Sequence, residues 1–271
     1  MAFSVNTNAG AFIALQSLNS TNASLSTTQN RISTGLAVAS ARDGASTFAI
    51  AQNIRADVAG LSAASDGLDR ARSALDVAIN AAEAISDLVI SARELAVAAA
   101  DTSLDTASRT ALNDEFVEVV NQITSINNSA SFNGTNLIKA TPDSVQAIDG
   151  DGATVFSVAG VDLTLTALGI SGTGFTDAAT ASAQVTAIDT ALGTLNGALS
   201  DFGAGFQRLE IQADFTSRLQ DTLEVGIGNL VDADLARESA NLQALQVRQQ
   251  LGLQALSIAN QAPGSVLALF R

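Results

Sequence analysis

The chain contains no histidine, cysteine, tyrosine or tryptophan, has two prolines (Pro142 and Pro263), and Lys139 is its sole lysine. Each absence removes a class of chemistry. Without cysteine there is no disulfide framework and no thiolate metal site, and the redox compartment stays open. Without histidine there is no Ser-His-Asp triad, no imidazole base and none of the common zinc or copper sites. No apolar run reaches the ~20 residues that span a bilayer, so no membrane insertion is expected. The opening "MAFSVNTNAG" carries neither a basic stretch nor an apolar core, so export is not expected to use a cleaved signal peptide. Among 271 residues there are 27 acids and 13 bases, a net charge of −14, which repels nucleic acid and anionic membranes.

What remains is alanine-rich and helix-patterned, and its charge is unevenly placed. Residues 1–41 hold one charged residue, Arg31, and residues 239–271 hold two, Arg248 and Arg271. All 27 acids lie in between. The N-terminal segment spaces Ala11, Leu15, Leu18, Asn22, Leu25, Gln29, Ile32 and Leu36 in heptad fashion, with polar Asn22 and Gln29 in the seam. The C-terminal segment does the same with Leu235, Leu242, Leu245, Gln249, Gly252, Leu256 and Ala259. Such seams predict marginal helices that need partners to order. A surface helix normally shows water a charged face. The scarcity of charge on both ends therefore points to burial on several sides, as when many copies pack around an axis.

The middle carries stronger seams. Leu61, Ala64, Leu68, Ala71, Leu75, Ala78, Ala82, Ile85, Val89, Ala92, Ala96 and Ala99 predict one long amphipathic helix. After the breaker "DTSLDTAS", Leu112, Phe116, Val119, Ile123 and Ile126 predict a second. Val185, Ile188, Leu192, Leu195, Leu199, Phe202, Phe206 and Leu209 predict a third over about 178–228, with Gly203 and Gly205 as weak points. Between them, "FNG" and "DGDG" are turn chemistry, and "ATVFSV" and "VDLTLTAL" predict one or two β-hairpins around 132–176. The fold expected is mainly α: a long antiparallel helical bundle with a small β-hairpin region. In "VDAD", Asp232 or Asp234 is expected to cap the last helix.

Candidate chemistry is thin. "DGDGA" (149–153) lacks the spaced ligands and closing glutamate of a calcium loop and reads as a hairpin turn. Four Asn-X-Ser/Thr triplets ("NST", "NAS", "NNS", "NGT") fit the glycosylation pattern, but the first two lie on a helix seam. The acidic pairs Asp114/Glu115 and Asp232/Asp234 fit caps and solvated faces better than acid/base couples. No catalytic, metal or cofactor site is expected.

Four stretches resemble bacterial flagellin: "SLNSTNASLSTTQNRISTGLAVASARDGASTFAIAQNIRADVAGL" (17–61), "ARELAVAAA" (92–100), "SFNGTNLI" (131–138) and "DADLARESANLQALQVRQQLGLQALSIANQAPGSVLALFR" (232–271). The resemblance implies a filament subunit. Residues 1–41 and 236–271 would form the inner helical tube (D0), and residues 42–235 the surrounding shell (D1). The variable outer domains would be absent, as in compact alphaproteobacterial members. It implies Leu15, Leu18, Leu25, Ile32, Leu245 and Leu256 as inner-tube contacts, with Asn22, Gln29 and Gln249 as the polar seam. Implied partners are further copies of the chain, the flagellar type III export apparatus and its chaperone, and the filament-cap and hook-junction proteins; the implied location is the extracellular filament. Positions equivalent to those facing the animal Toll-like flagellin receptor are Ser91, Arg93, Leu95 and Gln122. Members detected by that receptor carry a base at the first and a glutamate at the last, so weak recognition is expected. "VGIGNL" (225–230) also departs from the family's usual arginines. A hook–filament junction protein and a secreted helical binding protein are the alternative readings, and an enzyme the weakest.

Overall fold

The computed structural model describes residues 7–268, with side chains as far as Gln261. The first six and last three residues of the expected terminal segments lie outside that range. In chain order the elements are α1 (Ala9–Thr34), α2 (Ala45–Ala99), α3 (Thr106–Ser129), β1 (Ser144–Ile148), β2 (Thr154–Ala159), α4 (Leu165–Leu168), α5 (Ala178–Val231) and α6 (Leu235–Ala268). The chain divides into two compact units: one takes both ends of the chain, up to Ala56 and from Leu223, and the other takes Asp57–Thr222. These limits fall inside α2 and α5, whereas the expected domain boundaries after 41 and 235 fall at the α1–α2 connection and the start of α6.

Within the central unit, all twelve predicted seam residues of α2 are buried, none more than 5% exposed. Seven of them are alanines, which let neighbouring elements approach closely. On α5, Ala181, Ile188, Leu195, Phe202 and Leu209 recur every seven residues and are fully buried. The second row of that seam is Ala191, Ala198 and Gly205. Leu192, Leu199 and Phe206, expected there, flank it and are only half-covered. Gly205 is required by close packing, since a Cβ there would lie 2.8 Å from the Val158 methyls of β2. On α3, Phe116, Val120, Ile123 and Asn127 are buried, while Leu112, Val119 and Ile126 sit at the edge. Asp105 caps α3, accepting a hydrogen bond from the Ser108 amide.

The segment between α3 and α5 forms one hairpin. β1 and β2 pair antiparallel, with a bulge at Ala147/Ile148. "DGDG" makes their connection, in which the Asp149 amide donates to the Ala153 carbonyl and the Gly152 amide to the Asp149 carbonyl. "VDLTLTAL" was expected in strand and instead holds α4: Thr164 caps it and Gly169, in the left-handed region, ends it. Burial of Leu163, Leu168 and Ile170 outweighs the strand preference of the threonines. The "FNG" turn places Asn133 and Gly134 at positive φ (49° and 83°) with reciprocal Phe132–Thr135 backbone hydrogen bonds, the geometry that Asn-Gly favours. Behind it, the buried Asn127 amide donates to the Ile138 carbonyl, and that of Asn136 to the Asn127 carbonyl.

Candidate assembly surface

The end unit is built on α1 and α6. The Asn8 side chain caps α1 by accepting from the Ala11 amide, and Gly35 in the left-handed region ends it, donating to the Arg31 carbonyl. Of the two caps expected for α6, Asp234 serves, accepting from the Ala236 and Arg237 amides. Asp232 instead pairs with Leu36 in an isolated antiparallel bridge. Around it the Ala37 and Val38 amides donate to the Val231 carbonyl and the Ala233 amide to the Gly35 carbonyl. In the turn after α1, hydrogen bonds from the Ser40 hydroxyl and then its amide hold the Asp43 carboxyl below its ordinary 3.8.

The two helices run antiparallel. On α6 the half-covered positions are Leu242, Leu245, Gln249, Gly252, Leu256 and Ala259, as the spacing predicted, while Leu235 is exposed. On α1 the covered row is Ala11, Ala14, Leu18, Thr21, Leu25, Thr28 and Ile32. Leu15, Asn22 and Gln29 lie one position along and are exposed. The smaller Ala14, Thr21 and Thr28 are covered where their bulkier neighbours Leu15, Asn22 and Gln29 are not. Leu18 lies against Gly252, where a Cβ would meet its methyl at 3.3 Å. Polar contacts cross the pair at intervals. Asn8 donates to the Ala259 carbonyl (2.6 Å), Gln249 to the Asn22 side-chain oxygen (2.7 Å), and Arg31 to Glu238 (3.2 Å).

The uncovered faces show apolar and amide groups in place of charge. Phe12 and Ile13 are 66% and 68% exposed on α1; Val247, Leu251, Leu253 and Ile258 are 54–69% exposed on α6. A shallow groove along α1 is lined by Ile13, Gln16, Ser17, Ser20, Leu245 and Arg248. Exposed apolar side chains of this size are a candidate interaction surface.

The other nominated positions lie in the central unit. Ser91 and Gln122 are exposed, and Leu95 is half-buried against the core. Arg93 donates to Asp189 of α5 at 2.6 Å, which holds its guanidinium charged. Spacing along one helix gave no sign of that partner. Among the described residues no three acidic side chains gather to hold a metal, and no helix is long and apolar enough to cross a membrane.

Comparison with known proteins decides the family. The bacterial flagellin N-terminal helical region matches residues 5–142, and the flagellin C-terminal helical region residues 185–270. The chain belongs to the bacterial flagellin family. Flagellin FljM of Caulobacter vibrioides is 46% identical over 99% of this chain and 98% of its own, and a flagellin of Brucella melitensis is 38% identical over 99% of each. A solved structure described as a flagellar hook-associated protein, from Vibrio parahaemolyticus, aligns over 70% of this chain and 100% of its own, with a TM-score of 0.59 at 15% identity. At that identity the likeness concerns the fold. This flagellin is of the compact alphaproteobacterial type, a structural, non-enzymatic subunit that polymerises into the extracellular flagellar filament used for motility.

Proposed function

We propose that the α1–α6 pair forms the inner-tube (D0) contact of the filament and that residues 42–235 form its D1 shell. The observation that carries this reading is the uncovered face of the pair, apolar and amide-rich with almost no charge. In this reading Leu18, Leu25, Ile32, Leu245 and Leu256 hold α1 to α6, and Leu15 faces neighbouring copies together with Phe12 and Ile258. Asn22 and Gln249, hydrogen-bonded across the pair, and the exposed Gln29 put amides where apolar side chains would bind more tightly, which keeps the ends from ordering before a neighbour arrives and couples folding to assembly. The flagellar type III apparatus and an export chaperone deliver the unfolded subunit, and hook-junction and cap proteins bound the growing filament.

The test is seeded growth. Filaments are depolymerised by heat or acid, returned to neutral pH, seeded, and viewed by electron microscopy. Chains lacking residues 1–41 or 239–271 should not extend seeds, and growth by either would overturn the assignment. Replacing Asn22 and Gln29 with Leu should cause cytoplasmic aggregation or poor secretion; normal export with normal filament length would refute the restraining role.

We also propose weak recognition by the animal Toll-like flagellin receptor. Ser91 and Gln122 leave that surface without a cation and an anion the family elsewhere supplies, and Arg93 is engaged by Asp189. A reporter-cell response equal to that of an enterobacterial flagellin would refute it.

A further inference from the structure

Apolar contacts alone do not fix how α1 and α6 align. Leu18 faces Gly252; slid by one heptad either way, it would meet Leu245 or Ala259, an apolar contact in both cases. The polar contacts behave differently. Arg31 pairs with Glu238 and Asn22 with Gln249. The same slides would set Arg31 against Leu245, or against Val231 before α6 begins, and Asn22 against Leu256 or Leu242. Arg31 is the only charge on α1, and Glu238 the only acid on α6, so no other register offers Arg31 an acid on that helix. Asp43, within Coulombic reach of Arg31, follows α1 and does not move with α6. The cost of losing the partner is raised by burial: the Glu238 side chain is 12% exposed, and the Arg31 Nε is buried with no hydrogen-bond partner. Each charge also sits where its own helix dipole favours it, Arg31 in the last turn of α1 and Glu238 in the first turn of α6.

We infer that the Arg31–Glu238 ion pair, acting beside the Leu36–Asp232 backbone bridge and seconded by Asn22–Gln249, selects the register of the two ends and thereby which faces they offer to other copies. This rests on the reading that the α1–α6 pair is the assembly surface. Both residues are positioning residues, acting through the alignment they impose.

The chain has no cysteine, so register can be read by engineered disulfides. A Cβ at Gly252 would lie 3.9 Å from that of Leu18, inside the disulfide range of about 3.5–4.5 Å. Full-length Leu18→Cys/Gly252→Cys subunits are assembled under reducing conditions, oxidised, and scored for the intrachain cross-link by mass; Leu18→Cys/Leu245→Cys reports a slipped register. The native pair should cross-link and the slipped pair should not. Adding Glu238→Gln or Glu238→Arg should lower the ratio of native to slipped cross-link by roughly ten-fold, the expected scale for leaving a partly buried guanidinium without its partner. The swap Arg31→Glu with Glu238→Arg should restore much of it. An unchanged ratio in the Glu238→Gln filaments would overturn the inference, as would a swap that restores nothing. Where the cysteine chains fail to assemble, the same cross-link ratio is read on the unseeded full-length subunit, and growth of the truncated chains would fault the assembly reading and not the register.

Discussion

Along α2 between Leu61 and Ala99, twelve seam residues are at most 5% exposed; along α1, of comparable apolar spacing, Leu18 and Thr28 are the buried residues. The central unit draws on α2, α3, α5 and the hairpin to close its core from every side, and spends its charges on water. In the end unit each of α1 and α6 meets the other along one stripe, with Phe12, Ile13 and Ile258 left outside. The same kind of heptad sequence thus yields a finished core in one place and an open surface in the other. The number of walls available within one chain makes the difference, more than the strength of the helix signal.

Four measurements would break or sharpen this contrast. The largest effect should come from Phe202→Ala: the ring is fully buried in the central core, and its loss should cost about 3–5 kcal/mol in denaturant unfolding of the monomeric subunit followed by far-ultraviolet circular dichroism. Gly205→Ala should follow at about 1–3 kcal/mol, because the new methyl must push aside the Val158 side chain. Asp105→Ala should cost about 1 kcal/mol by uncapping α3. Acid should imitate that loss. The Ser108 hydroxyl and amide hold the Asp105 carboxyl below 3.8, as Lys139 and the Asn136 amide hold Asp143. A depressed folded-state value means stabilisation present above the unfolded value and lost as pH falls through the folded one. Loosening of the α3 start and the hairpin base should therefore appear below pH 3.8 by hydrogen exchange, and Asp105→Ala should remove the α3 part of it. Least of all, Phe12→Ser or Ile258→Ser should shift monomer unfolding by no more than about 0.5 kcal/mol while reducing seeded growth. A large loss of monomer stability from either would erase the distinction between the units.

Much of this architecture was legible in the sequence, for identifiable reasons. The α2 seam carries no polar member, so periodicity alone placed it. The α6 seam was also placed, apart from Leu235. On α1 and α5 the reading followed the largest side chains, Leu15 and Leu192 among them, whereas the more covered positions are their small neighbours Ala14 and Ala191. Heptad spacing is ambiguous by one residue when apolar side chains adjoin, and packing resolves it in favour of the smaller. α4 was read as strand because its threonines outweighed the cap at Thr164 and the stop at Gly169. The Arg31–Glu238 and Arg93–Asp189 pairs join residues 207 and 96 positions apart, which no local pattern reveals. The scarcity of charge at the two ends was nonetheless enough to point to the surface proposed for assembly.

If the outer walls of α1 and α6 come from other copies, as proposed, the ordering of these helices obeys mass action. Their free energy of folding depends on the concentration of partners, and a critical concentration follows, below which the ends gain nothing from pairing. A subunit in the interior of a polymer has every wall supplied, and one at the growing end lacks some of them. On that reading the exposed side chains of Phe12 and Ile258 would confine both growth and fraying to the tip.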